Sequence, residues 1–172
     1  MKMNEISEFY WYAVYVRSRH ESHVFERLSM ANIDAFLPTV ERLSKWKDRK
    51  KMVNFPLFPG YLFVHINKSY NNMLTVLKTN GVVRFLGISP REPEPIPDEQ
   101  IISLKRVIES KELLDPYPYL KEGQRVRIKR GALAGVEGLL VEKTGQHSLV
   151  ISVDILQRGV SLKIDAAEVE SI

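Results

Sequence analysis

Phe55-Pro56-Leu57-Phe58-Pro59-Gly60-Tyr61-Leu62-Phe63-Val64-His65-Ile66 starts with aromatics spaced by two prolines and ends as a strand. Each proline lacks an N–H and biases the residue before it towards extended backbone, which argues against helix or central strand over residues 54–59. Gly60 can bring that segment into a turn, and Tyr61–Ile66 has the composition of a strand. Phe58, Tyr61 and Phe63 then have two readings. They are core residues of an ordinary sheet, or some of their aromatic surface stays exposed beside the Pro-Gly segment and marks a partner surface. Composition leaves both open.

Before this stretch, Phe9–Arg17 is rich in Tyr, Trp and Val and reads as a first strand. Ser18, with Glu21 three residues later, forms a capping-box pattern. Val24, Phe25, Leu28 and Ala31 recur at helical spacing, so an amphipathic helix is expected over about residues 19–32. Another stripe of that helix carries His20, His23 and Arg27, with Arg17 just before it. Such stripes are ordinarily solvated polar faces; the functional alternative is an anion-facing strip that favours phosphates.

Asp34–Ser44 reads as a second extended element, with Pro38 arguing for an edge or a bend. Lys45-Trp46-Lys47-Asp48-Arg49-Lys50-Lys51 follows, with five cations in seven residues. It reads as a hairpin tip or loop, either simply solvating or contacting a nucleic-acid backbone with Trp46 available to stack. Beyond the opening stretch, Ser69–Thr79 is expected to be a short helix stopped near Gly81, and Val82–Ile88 a strand. Pro90, Pro93, Pro95 and Pro97 are expected to impose an irregular extended segment. Asp98 is placed to cap a third helix whose face includes Ile101, Leu104 and Ile108. Strands interleaved with helices in this order predict an α+β fold, with helices laid on a mainly antiparallel sheet.

Leu113–Lys121 shows neither period and is expected to be a linker. The charge balance changes across it. Residues 1–113 hold 17 Lys and Arg against 13 Asp and Glu, whereas residues 114–172 hold eight of each, so the whole net charge of +4 lies in the first part. Beyond the linker, Gln124–Lys129, Glu137–Glu142, Ser148–Val153 and Val160–Ile164 are short Val-, Ile- and Leu-rich runs punctuated by glycine. They suggest a small closed barrel.

The chain has no cysteine, which excludes disulfides, thiolate metal sites and Cys nucleophiles. It shows no apolar h-region and no apolar run of membrane-spanning length, so a soluble, cytoplasmic protein with no membrane partner is expected. No Gly-x-Ser-x-Gly, phosphate-binding glycine loop or metal-helix signature is present. His20 and His23 lie one turn apart but have no identifiable third ligand. The expectation is a non-enzyme with no metal and no cofactor.

Trp11-Tyr12, Pro56-Leu57-Phe58-Pro59-Gly60-Tyr61-Leu62-Phe63-Val64, Gly81-Val82-Val83-Arg84-Phe85-Leu86-Gly87 and Pro95-Ile96-Pro97 resemble the N-terminal domain of NusG-type transcription elongation factors. Gly123–Gly138 resembles the KOW motif of their C-terminal domain. The Trp-Lys-Asp-Arg-Lys-Lys run further resembles the specialised RfaH and UpxY antitermination paralogues, which act at selected operons such as polysaccharide loci. The resemblance implies a NusG N-terminal domain at 1–113, a linker at 114–122 and an SH3-like KOW barrel at 123–172. It implies a factor that binds the clamp helices of the RNA polymerase β′ subunit through an apolar patch, at positions matching Phe58, Tyr61, Phe85 and Ile96. It further implies contact with the displaced non-template DNA strand by Arg17, His20, His23 and Arg27, beside the Lys45, Trp46 and Lys47 already noted. The KOW domain is expected to meet ribosomal protein S10 or termination factor Rho. The short motif with which RfaH touches the polymerase gate loop is replaced here by Asn72-Met73-Leu74-Thr75. The β-branched Val150–Val153 and Val160–Leu162 runs favour a stable barrel without a fold switch. A ribosome- or RNA-associated KOW protein is the alternative, and the neutral charge of residues 114–172 counts against it.

Overall fold

A computed structural model of the chain describes residues 8–46, 49–89, 91–118, 123–143 and 145–172, with the side chains of residues 46, 116, 118 and 143 left aside. The chain packs as two compact units, one of residues up to Leu37 with Phe58–Asp98, the other of Pro38–Leu57 with Glu99–Ile172.

The first unit is an antiparallel sheet with helices. Its strands are β1 (Tyr10–Val16), β2 (Asp34–Phe36), β5 (Tyr61–Ile66) and β6 (Val82–Phe85), and its helices α1 (Glu21–Met30) and α2 (Tyr70–Lys78). The sheet order is β2-β5-β1-β6, with β9 (Pro95–Ile96) also pairing β1. Central β1 has apolar residues on both sides, because side chains alternate across a strand and both faces are buried. Tyr12, Val14 and Val16 join Leu62, Val64 and Ile66 of β5, Val24 and Leu28 of α1, and Val76 of α2 in one core. The opposite face, with Trp11, Ala13 and Phe63, is buried as well. Gly81 ends the α2 segment in a left-handed conformation with φ of 103°, and a Cβ there would meet Val24 Cγ2 at 2.6 Å.

The proline-rich segment is more regular than expected. β7 (Gly87–Ser89) pairs β8 (Glu92–Pro93), and Pro95–Ile96 adds to the main sheet. The single extended element expected over Asp34–Ser44 is also two strands, divided before Thr39 by Pro38: β2 lies in the sheet and β3 (Thr39–Trp46) forms a hairpin with β4 (Arg49–Pro56).

The second unit contains that hairpin, α3 (Asp98–Glu109, from Glu99 onward) and a six-stranded antiparallel sheet. The strands are β10 (Leu114–Pro118), β11 (Gln124–Ile128), β12 (Glu137–Lys143), β13 (Gln146–Val153), β14 (Arg158–Lys163) and β15 (Val169–Ser171), in the order β10-β14-β13-β12-β11-β15. Helix α3 buries Ile101, Leu104 and Val107, with Ile108 only half-buried. Leu114–Pro118, expected as linker, is instead an edge strand on β14. Its prolines fit an edge, where only one side of the ladder needs N–H donors. Arg42 of the hairpin donates to the Leu114 carbonyl at 3.1 Å, and Gln100 of α3 exchanges two hydrogen bonds with Asp154 at 3.0 and 3.2 Å. Packing thus groups the hairpin and third helix with the C-terminal sheet, whereas chain order groups them with the N-terminal domain.

Candidate functional site

The Pro59-Gly60-Tyr61 turn is built by a set of backbone bonds. Tyr61 N–H donates to the Phe58 carbonyl at 3.0 Å, and Val16 N–H donates to the Gly60 carbonyl at 2.8 Å. Gly60 takes φ of 87°, and a Cβ there would stand 3.3 Å from the Tyr15 ring, so both backbone and space call for glycine. The Gly60 N–H donates to Glu21 Oε1 at 2.8 Å. Glu21 is only 6% exposed. The capping box expected from Ser18 and Glu21 does not form. The helix starts at Glu21 with His20 as N-cap and no side-chain cap bond, Arg19 turns the chain at φ of 63°, and the Glu21 carboxylate serves the distant turn instead.

Tyr61 is half-buried. Its ring lies 5.5 Å from that of Tyr15, its partner across β1 and β5. Arg84, opposite Tyr15 on β6, sets its guanidinium over the same ring at 6.0 Å. Tyr61, Tyr15 and Arg84 therefore form one row across three strands. The other residues expected in an apolar docking patch lie inside: Phe58 is 1%, Phe85 0% and Ile96 3% exposed. Phe85 pairs with Val14, packs edge-on to Tyr12 and belongs to the helix-covered core. Phe58 packs edge-on to Phe63, and Ile96 pairs with buried Trp11. These three are core residues, and of the four Tyr61 alone keeps surface. Tyr15 and Arg84 were not singled out from sequence. The available signal was the period of two in β1, which sets Tyr15 on the face opposite Val14 and Val16.

The strip on α1 is real as a surface. Arg17, His23 and Arg27 are exposed and His20 is half-buried. The His20 and His23 rings lie 6.5 Å apart, His20 Nδ1 donates to the Ser18 carbonyl at 3.0 Å, and Arg27 donates to the Asn80 carbonyl at 2.9 Å. Arg17 N–H donates to the Gly81 carbonyl, so the 80–81 corner fixes both ends of the strip. Solvent-facing nitrogens in such a row suit phosphate oxygens, and the imidazole planes offer stacking surfaces.

On the hairpin, Lys45 faces Lys50 and Ser44 faces Lys51. Lys45, Arg49, Lys50 and Lys51 are exposed, and among the described residues none forms an ion pair. Lys47 and the Trp46 side chain lie outside the described residues. No group of three or more His, Cys, Asp or Glu able to hold a metal occurs among the described residues, and no described helix is long and apolar enough to cross a membrane.

The family model "Transcription termination factor nusG" matches residues 9–105, which contain the turn, the tyrosine row and the strip. The chain belongs to the NusG family. Members are transcription termination and antitermination factors rather than enzymes. Among curated NusG proteins, that of Pseudomonas aeruginosa is 27% identical over 173 residues, covering 94% of this chain and 98% of the relative. That of Borreliella burgdorferi is 25% identical over 182 residues, covering 94% and 98%. Relatives of this length reach beyond the family model into the C-terminal sheet. The solved structure "Domain interaction in Thermotoga maritima NusG" matches with a TM-score of 0.55 and 20% identity, covering 96% of this chain and 98% of that one, a likeness of fold.

Proposed function

We propose that this NusG-family protein is an elongation and antitermination factor that docks on the β′ clamp helices of RNA polymerase through the row Tyr61–Tyr15–Arg84. The observation that carries the reading is that row: two partly exposed aromatics and a cation, held on rigid strands. Rigid aromatics supply large contact area at little cost in rotamer entropy, as docking anchors do. Phe58 acts from beneath, by its carbonyl bond to Tyr61. Arg17, His20, His23 and Arg27 hold the displaced non-template strand, with Lys45, Trp46 and Lys47 adding contacts to nucleic-acid backbone. By binding the elongating form of the polymerase better than paused forms, the protein shifts their populations without chemistry. Residues 1–113 form the polymerase-binding domain and residues 123–172 the KOW domain, which recruits S10 or Rho. Action at selected operons, such as polysaccharide loci, follows the RfaH- and UpxY-like hairpin sequence.

The test is elongation by bacterial RNA polymerase across a pause and a terminator, with wild type and Tyr61→Ala. Reduced pausing or termination that Tyr61→Ala abolishes while remaining folded is the expected result. Polymerase that binds neither full chain nor residues 1–113 would remove the reading.

A further inference from the structure

Glu21 is an expensive residue in its place. A carboxylate buried to 6% exposure is costly unless a donor meets it, and the donor is the Gly60 backbone N–H at 2.8 Å. The location in the first turn of α1 is favourable to negative charge. The same Gly60 peptide is held on its carbonyl side by Val16 N–H at 2.8 Å. Gly60 thus has both its polar groups engaged, one by β1 and one by α1, and the next residue is Tyr61. Glu21 does not serve as part of a sequence-local cap, because the His20 N-cap makes no side-chain bond and Glu21 reaches a turn 39 residues away.

We infer that Glu21 is a positioning residue for Tyr61. Its carboxylate fixes the Gly60 peptide plane, and thereby the ring of Tyr61 against Tyr15. Because Glu21 sits between His20 and His23 in sequence, the bond ties the α1 strip to the docking row as one rigid piece. Only the acceptor oxygen is required, so glutamine at this position retains the function and alanine does not. The inference about Tyr61 stands on geometry alone; its consequence for polymerase binding rests on the proposed docking row.

The experiment uses the full chain as wild type, Glu21→Gln and Glu21→Ala. Amide exchange at Gly60 and Tyr61, and through-space contacts between the Tyr15 and Tyr61 rings, are followed by NMR, with the Val14 amide reporting the sheet core. In Glu21→Ala, Gly60 exchange should speed up by roughly tenfold or more, the size expected when a buried donor loses its acceptor. The ring contacts should also weaken, while Val14 stays protected and Glu21→Gln resembles wild type. Unchanged Gly60 and ring signals in Glu21→Ala would overturn the inference. So would collapse of Val14 protection in both variants, since Glu21 would then support the whole unit rather than the turn. Polymerase binding adds a cycle: Glu21→Ala and Tyr61→Ala should weaken it by similar factors, and the double variant no further. Additive losses would overturn positioning as the mechanism. If wild type fails to bind polymerase, the docking reading falls while the NMR comparison still decides the role of Glu21.

Discussion

Arg84 lies over the face of Tyr15, its guanidinium carbon 6.0 Å from the ring centre, so the middle aromatic of the row is held from β6 as well as by Tyr61 on β5. A cation over an exposed ring contributes about 0.5–1 kcal/mol, small beside the contact area of the ring. Tyr15→Ala should therefore weaken polymerase binding by about ten- to a hundredfold, as loss of an interfacial anchor does. Arg84→Ala should weaken it by less than about fivefold, in keeping with one exposed cation–π contact. Titration of labelled full chain with polymerase reads both. Equal losses would show that the row is not organised around Tyr15.

Gly81 tests the corner that anchors the α1 strip. A Cβ would meet Val24 Cγ2 at 2.6 Å and would have to adopt φ of 103°. Backbone strain and overpacking together should cost Gly81→Ala about 3 kcal/mol. Gly131 has a comparable φ of 86° but nothing within 4 Å of its Cβ position, so Gly131→Ala should cost only about 1–2 kcal/mol. Denaturant midpoints, read on signals of each residue's own unit, separate steric from conformational cost. A smaller loss for Gly81→Ala than for Gly131→Ala would contradict the packing described.

Much of this fold was legible because its signals are local. α1 follows from helical spacing, and β1, α2 and the strands β11, β12, β13 and β14 from local apolar composition and its Gly or capping punctuation, all within a dozen residues. What sequence could not show depends on distant partners. Ser18 and Glu21 have capping-box spacing, yet Glu21 is drawn to Gly60, which no local pattern reveals. Phe58, Phe85 and Ile96 are apolar by composition, but only the sheet register and its covering layers decide that they lie inside. Leu114–Pro118 contains two prolines and reads as linker until β14 supplies a neighbour on one side.

Tyr12 is fully buried, and its hydroxyl has no hydrogen-bond partner among the described residues. Removing an unsatisfied buried hydroxyl relieves a desolvation cost, so Tyr12→Phe should be neutral or more stable by about 1 kcal/mol. Burial also raises the Tyr12 pKa above its ordinary value of 10.0. The folded state then holds this proton more tightly than the unfolded state. Its contribution is fully present below pH about 10 and is lost as pH rises through the raised folded value. Other tyrosines titrate in this range too, so the observable is the difference between wild type and Tyr12→Phe. That difference should grow in favour of the variant above pH about 10, and stability curves that stay parallel would contradict it.

Lys45 and Lys50 are direct cross-strand partners, and like charges so placed destabilise a pair. Lys50→Glu replaces repulsion with attraction and should stabilise the hairpin by about 0.2–1 kcal/mol, seen as slower amide exchange along β3 and β4. If these cations hold nucleic-acid backbone, the same change should weaken binding to a single-stranded oligonucleotide. It should also flatten the slope of log affinity against log salt by about 0.7 for each phosphate that is no longer neutralised. The two effects have opposite signs, so a variant that is better folded and a poorer binder separates ligand contact from structural support. Unchanged oligonucleotide affinity, with the hairpin stabilised, would assign the cations to solvation and leave the α1 strip as the nucleic-acid surface to test.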